Sequence, residues 1–110
     1  MSAAPLNVYV AEALGTMVFV LAILCVVNRS GDDNKIVAGS IPIYIGLALV
    51  VSIYLAQGLG GNGHLNPAVS IALASNNTIS VNDLVGHILA QCVGALIAFF
   101  VYKGVINLPN

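Results

Sequence analysis

The chain has 110 residues, of which 59% are hydrophobic and 6% are charged. Because a soluble domain carries about 25% charged residues, this chain has too few to cover a surface in water, and we expect an integral, multi-pass membrane protein surrounded by lipid. Its formal net charge of −1 leaves no basic patch, which argues against nucleic acid as a partner.

Two apolar segments in the first half of the chain are candidates to cross a bilayer. The first, at about 8–27, has the roughly 20 residues that a spanning helix needs. The residues before it contain no Lys or Arg, so no removable signal peptide is expected. A polar loop follows at 28–35. A second spanning helix is expected at about 41–56, with Pro42 in its first turn, where the missing N–H is tolerated.

The segment at about 58–76 is different, because it combines a glycine-rich stretch with an apolar run too short to span. Four of the six residues at 58–63 are glycines. Asn66 would then act as an N-cap and Pro67 as the first helical residue. A helix from there to about Asn76 would be about 15 Å long, or half a bilayer. A re-entrant half-helix is therefore expected. A helix lying flat in the interface is the alternative, but the run lacks the Lys or Arg face of such helices.

A third spanning helix is expected at about 83–102, and Ser80, Asn82 or Asp83 is available as its N-cap. His87, near its start, is expected to be a polar side chain at the membrane interface. The helix also carries a small residue at every fourth position, and such a seam lets two helix backbones approach closely. Its members are Gly86, Ala90, Gly94 and Ala98, and the first span has a similar pair in Ala11 and Gly15.

Four motifs, in this order, resemble those of the major intrinsic proteins, the family of aquaporins and glycerol facilitators. They are Glu12-Ala13-Leu14-Gly15-Thr16, the run at 46–55, Gly63-His64-Leu65-Asn66-Pro67-Ala68-Val69-Ser70, and Ala90-Gln91-Cys92-Val93-Gly94-Ala95. The resemblance implies an all-α membrane fold in which residues 1–110 form one aquaporin-like repeat. That repeat would consist of three transmembrane helices and one re-entrant half-helix carrying the Asn-Pro-Ala (NPA) motif.

The resemblance also implies a passive channel for water or small neutral solutes such as glycerol. The half-helix would direct its positive dipole end at the path and so disfavour cations, while the Asn66 amide would donate hydrogen bonds to a passing oxygen. Two residues, Glu12 and Gln91, would support the loop that carries the motif, and His64 beside that loop would either support it or line the pore. The expected pore and solute contacts are Asn66, Pro67, Ala68, Gly63, His64 and Ile45.

The chain carries a single repeat of a family pattern that has two. A pore would therefore need a second half, either from an antiparallel second copy in a homo-oligomer or from a separate chain. Ile45 replaces an aromatic residue of the family pattern, and Val69 stands where the second repeat has an arginine. The path is therefore expected to be wider than a water-only filter.

The orientation in the membrane stays open. Arg29, Lys35 and Lys103 all fall on one side, which the positive-inside rule places in the cytoplasm, whereas the family topology places that loop outside. The alternative function is a non-conducting, truncated homologue that acts as a structural or interaction protein through the small-residue seam.

No enzyme, cofactor or metal is expected. The sequence offers no Ser/His/Asp or Cys/His arrangement on one face, no phosphate-binding loop and no cluster of metal ligands. Cys25 and Cys92 lie in apolar runs and are expected to be buried, unpaired thiols.

Overall fold

The structure, a computed structural model, describes residues 3–29 and 37–106, and all its regular elements there are helical. Helix α1 runs over Leu6–Arg29 and α2 over Ile41–Gly58, the latter preceded by a single 3₁₀ turn at Ala38–Ser40. Helix α3 covers Pro67–Ser75. Helix α4 covers Val81–Val101 and continues as one π-helical turn through Tyr102–Ile106. Lys35 and most of the polar loop expected at 28–35 lie outside the described residues.

Three of these helices are long and apolar enough to cross a membrane. Their spanning segments, Leu6–Asn28, Ile41–Gly58 and Val81–Ile106, have mean hydropathies of 2.5, 1.8 and 2.2. α3, with nine residues, is about 14 Å long and cannot span. The protein is therefore an integral, multi-pass membrane protein with the three spanning helices and the half-helix of an aquaporin-like repeat.

The helix ends lie within two residues of those expected from the sequence. Of the three candidate caps of α4, Ser80 takes the position, and its Oγ accepts a hydrogen bond from the Asp83 N–H at 3.0 Å. Pro42 lies in the first turn of α2, and Asn76 is the C-cap of α3. The ends are predictable because caps and prolines act within one turn of the backbone.

The distribution of polarity is inverted relative to a soluble protein. Large apolar side chains such as Leu47, Val51 and Phe100 are exposed on the outside of the helices, where they meet lipid. The interior holds polar side chains instead, since a polar group in lipid has no partner. The buried polar and charged residues are Glu12, Thr16, Ser52, Ser70, Asp83, His87 and Gln91.

α1 is the central helix and packs against both α2 and α4. Glycine allows the α1–α4 contact, because a Cβ at Gly94 would overlap the Ala13 carbonyl oxygen. A Cβ at Gly86 would overlap the Tyr9 ring, and Ala98 is fully buried. Toward α2, a Cβ at Gly15 would lie 2.9 Å from that of Ala56.

Ala90, the remaining member of the seam, is half-buried and lines an outer groove between α1 and α4 together with Ala13 and Gly86. The seam therefore faces α1 through Gly94 and borders the groove through Ala90, and Ala98 is buried.

We predict that Gly94→Ala destabilises the protein and Gly46→Ala does not. A methyl group at position 94 meets the backbone of α1, which cannot move aside as a side chain can, so the expected cost is about 1–3 kcal/mol. Gly46 in α2 is the matched control, because a Cβ added there would have nothing within 4 Å and alanine favours a helix. Unfolding by SDS titration in mixed micelles measures both. Equal stability of the two variants would contradict a backbone contact at Gly94.

Candidate functional site

The segment that joins α2 to α3, residues 59–66, forms a re-entrant loop with an irregular backbone. Gly60 and Gly63 have φ angles of +94° and +76°, and Leu65 has a φ of +57°. Left-handed backbone favours glycine, so the leucine at position 65 adopts a conformation that its surroundings must hold in place. Leu65 is 4% exposed, and a Cβ at Gly15 would lie 2.8 Å from its Cδ2 atom. The small surface at Gly15 thus makes room for the loop.

The Glu12 carboxylate of α1 holds the backbone of this loop. Oε2 accepts from the Gly63 N–H at 2.6 Å and from the His64 N–H at 3.1 Å. Oε1 accepts from the His64 and Leu65 N–H groups, each at 3.1 Å. Glu12 is completely buried, so three successive peptide groups compensate a carboxylate that would otherwise be costly at membrane depth.

Gln91 of α4 extends this network to the half-helix. Its Nε2 donates to Glu12 Oε1 at 3.3 Å and to Ser70 Oγ at 2.9 Å. The Ser70 hydroxyl also lies 2.9 Å from His64 Nδ1. Side chains from α1, α3, α4 and the loop therefore meet in one hydrogen-bonded cluster. The structure thus brings together three of the residues singled out from the sequence, Glu12, His64 and Gln91.

Asn66 caps α3, and Pro67 follows as the first helical residue. The Asn66 Oδ1 atom accepts from the Ala68 N–H at 2.9 Å. Its amide nitrogen makes no hydrogen bond within the described part of the chain, and the residue is exposed. The cap therefore uses the acceptor end of the side chain and leaves the donor end available.

The tip of the loop lies part-way along the spanning helices. Its neighbours Gly15 and Gln91 stand about 14–15 Å along α1 and α4 from the ends where the loop enters, as their helical rise gives, and a bilayer core is about 30 Å thick. A cavity of about 240 Å³ opens beside Asn66 and Pro67. Its other lining residues are Thr16, Phe19, Val20, Leu65, Gln91, Cys92 and Ala95.

Several residues lie elsewhere than the sequence suggested. Of the expected pore contacts, Asn66 and Pro67 line this cavity. The other four, Ile45, Gly63, His64 and Ala68, are not among its lining residues. Cys92 is exposed rather than buried, because it borders the cavity, whereas Cys25 is half-buried, and both thiols are free. The expectation that His87 is interfacial is wrong, since its side chain is completely buried. The packing of α4 against the loop decides this, and helical periodicity alone does not reveal it.

His87 lies against the loop with a second set of partners. Its ring stacks on that of His64, with centroids 4.6 Å apart, and Nε2 lies 2.9 Å from the Asn62 amide nitrogen. Nδ1 lies 2.8 Å from the Asp83 carbonyl oxygen. Sequence reasoning missed this group because Asn62 and His87 are 25 residues apart and neither belongs to a motif.

Glu12, His64 and His87 place possible metal-ligating atoms within 4.8 Å of one another. The contacts described above already occupy the two Glu12 oxygens, both ring nitrogens of His87 and Nδ1 of His64. A metal ion would have to displace several of these hydrogen bonds. The arrangement is that of a hydrogen-bonded cluster.

A family model described as Major intrinsic protein matches residues 1–109 of the chain. The chain belongs to the major intrinsic protein family. The resemblance read from the four sequence motifs is thereby confirmed, and the aquaporin-like architecture of the three spanning helices and the half-helix agrees with it.

Relatives of the chain include members of this family from bacteria, animals and plants. It is 40% identical over 100 residues to glycerol uptake facilitator protein-like 6 of Lactiplantibacillus plantarum, a match that covers 90% of this chain and 44% of that protein. It is 34% identical over 90 residues to aquaporin-4 of Mus musculus, covering 79% of this chain and 28% of the relative. It is 33% identical over 112 residues to a probable TIP-type aquaporin of Antirrhinum majus, a match that covers 96% of this chain and 44% of that protein.

The chain thus spans less than half the length of each of these relatives. No solved structure matches it.

We predict that Glu12→Gln loosens the re-entrant loop. The new amide group places a donor against backbone N–H groups, which leaves at least one buried donor unpaired at a cost of about 1–3 kcal/mol. Thr16→Val, one turn further along α1, is the matched control, because the buried Thr16 hydroxyl has no hydrogen-bond partner in the described structure. Hydrogen–deuterium exchange of residues 62–66 in detergent micelles measures the effect. If both variants exchange at the wild-type rate, Glu12 does not hold the loop.

Proposed function

We propose that this chain forms one half of a passive membrane channel for water or small neutral solutes such as glycerol, and that it is not an enzyme. The observation that carries the proposal is the cap at Asn66, where Oδ1 is committed to the helix and the amide nitrogen is left to donate. It lies beside an open cavity, part-way along the spanning helices. Family membership supports the proposal, as do relatives named aquaporin and glycerol uptake facilitator.

The orientation of the loop supplies acceptors to complement this donor. In a trans peptide group the N–H of one residue and the C=O of the residue before it point in opposite directions. The N–H groups of residues 63–65 point at Glu12, so the carbonyls of Asn62, Gly63 and His64 point away from it. A neutral hydroxylic solute moving along the loop would exchange its water contacts for these carbonyls and then donate and accept at Asn66.

The half-helix adds selection by charge. The unpaired N–H groups at the start of α3 give its N-terminus a partial positive charge, which lies at Pro67 beside Asn66. A cation that leaves water would meet this end of the dipole without a compensating carboxylate, because Glu12 is saturated by the loop. Neutral solutes pay no such penalty, which favours them over ions and protons.

A second half would complete the path, whether a second copy or a separate chain supplies it. Among the helices of this structure α3 packs only against α4, and Gly60, Asn62 and Asn66 are exposed along the loop. Irregular backbone at membrane depth persists only where protein or a water-filled cavity surrounds it. An inverted second half, with its own half-helix meeting Asn66, would cover this face.

The lining of such a pore would favour small neutral solutes in general over water alone. Val69 is exposed on α3 where an arginine would narrow the path, and Ile45 provides no aromatic wall. A path without these two constraints is wider and lacks a fixed cation near its narrowest point.

We predict that Asn66→Asp reduces solute flux to the level of empty vesicles. An aspartate keeps the oxygen that caps Ala68 and so preserves α3, but it removes the amide donor. Asn76→Asp is the control, because Asn76 caps the other end of α3 and is exposed. Stopped-flow light scattering of proteoliposomes with equal protein content measures water and glycerol flux. Wild-type flux through the Asn66→Asp variant would contradict a donor role for this amide.

The alternative is a non-conducting membrane protein that packs against other helices. The outer groove between α1 and α4, lined by Tyr9, Ala13, Gly86 and Ala90 among others, is almost entirely apolar and would accept such a helix. Verified reconstitution with no flux above empty vesicles favours this alternative.

An antiparallel pair predicts that the protein inserts in both orientations. In a background with Cys25 and Cys92 replaced by serine, we expect Ser75→Cys and Gly104→Cys each to react with a membrane-impermeant maleimide from both sides. The two sites are exposed and lie at opposite ends of the spanning helices. Labelling of each from one side only would rule out the antiparallel homo-oligomer and require a separate second half.

A further inference from the structure

A group of side chains at the start of α4 contacts the re-entrant loop close to Glu12. His87 is its centre, and it is completely buried. Nothing in the proposed solute path uses this histidine, yet both of its ring nitrogens are engaged. Nδ1 lies 2.8 Å from the Asp83 carbonyl oxygen, and Nε2 lies 2.9 Å from the Asn62 amide nitrogen.

These two contacts fit one form of the imidazole ring. A carbonyl oxygen can only accept, so Nδ1 must carry the proton. An amide nitrogen can only donate, so Nε2 must be bare. The neutral Nδ1–H tautomer satisfies both, and the alternative Nε2–H tautomer would set two donors against each other at Asn62 and two acceptors against each other at Asp83.

The faces and edges of the His87 ring are held as firmly as its nitrogens. The His64 ring stacks on it at an interplanar angle of 24°, and the Tyr9 ring meets it edge-on with centroids 5.6 Å apart. The Tyr9 hydroxyl donates to Asp83 Oδ1 at 2.8 Å. His87 therefore cannot turn without breaking contacts to α1 and the loop.

We propose that His87 is a positioning residue for the re-entrant loop, acting on Asn62 through a hydrogen bond and on His64 through ring stacking. Glu12 holds the N–H groups of residues 63–65 from α1, while His87 holds the side chains of Asn62 and His64 from α4. Together they fix the peptide planes whose carbonyls face away from Glu12. The expected effect on solute flux rests on the proposed function. The hold of His87 on the loop does not depend on it.

The tautomer of His87 is the first test. The chain has two histidines, so the ring ¹⁵N spectrum of the protein in lipid nanodiscs at neutral pH contains two sets of resonances, and His87→Gln assigns them. We expect His87 to show a protonated Nδ1 and an unprotonated Nε2. An Nε2–H tautomer, or a ring protonated at both nitrogens, would overturn the proposal.

The hold on the loop is the second test. Asn62→Ala removes the partner of Nε2, and we expect amide exchange at residues 62–66 to become about fivefold faster, as for the loss of one neutral hydrogen bond. Asn82→Ala is the matched control, because Asn82 is an exposed asparagine in the first turn of α4. His87→Phe retains a ring that can stack on His64 but lacks the acceptor, and should resemble Asn62→Ala. If amide exchange at residues 62–66 in Asn62→Ala and in His87→Phe equals that of the wild type, the proposal is overturned.

A measurement of solute flux distinguishes failure of this inference from failure of the proposed function. Where the wild type conducts in proteoliposomes, Asn62→Ala should lower solute flux several-fold at equal protein content, and unchanged flux would refute a positioning role. A wild type that does not conduct counts against a pore made of copies of this chain alone, while the tautomer and exchange results still decide whether His87 positions the loop.

Discussion

The Glu12 carboxylate is the point on which the rest of this structure depends. A buried carboxylate in a spanning helix is costly unless its oxygens are satisfied, and three consecutive peptide N–H groups together with Gln91 satisfy them here. The same contacts solve a second problem, because a loop that enters the membrane has no secondary structure to bind its own N–H groups. The loop N–H groups therefore remove the cost of burying the Glu12 carboxylate, and the carboxylate removes the cost of burying those N–H groups.

Small residues make these hydrogen bonds between Glu12 and the loop geometrically possible. Glu12 can reach the loop only because α1 lies close to α2 and α4, and those distances are set where Gly15 and Gly94 present bare backbone. Leu65 packs over Gly15 in a left-handed conformation, which turns the chain from the loop into Asn66 and the start of α3. The seam read as a packing motif is thus also what positions the half-helix.

The polar interior is divided between two groups of side chains, each of which combines residues of α1 and α4 and contacts the loop. One consists of Glu12, Gln91, Ser70 and His64, and it involves the motifs of the major intrinsic protein family. The other consists of His87, Asn62, Asp83 and Tyr9, and it depends on the pairing of residues far apart in the chain. Both leave the opposite face of the loop and the Asn66 amide free, which is the face that the proposed solute path would use.

The membrane class, the three spanning helices and the half-helix follow from the sequence alone, because length, hydropathy, caps and prolines act locally or over a single helix. The sequence also indicated Glu12 and Asn66, since an ionisable residue in an apolar run and an Asn-Pro pair after glycines are visible without a fold. The tertiary structure alone placed His87 in the interior and joined it to Asn62. It also kept Ile45 out of the lining of the cavity beside Asn66 and placed Cys92 at the edge of that cavity. Those outcomes depend on the rotation of each helix about its axis and on the path of the loop. Both are decided by contacts between distant segments, which no local pattern records.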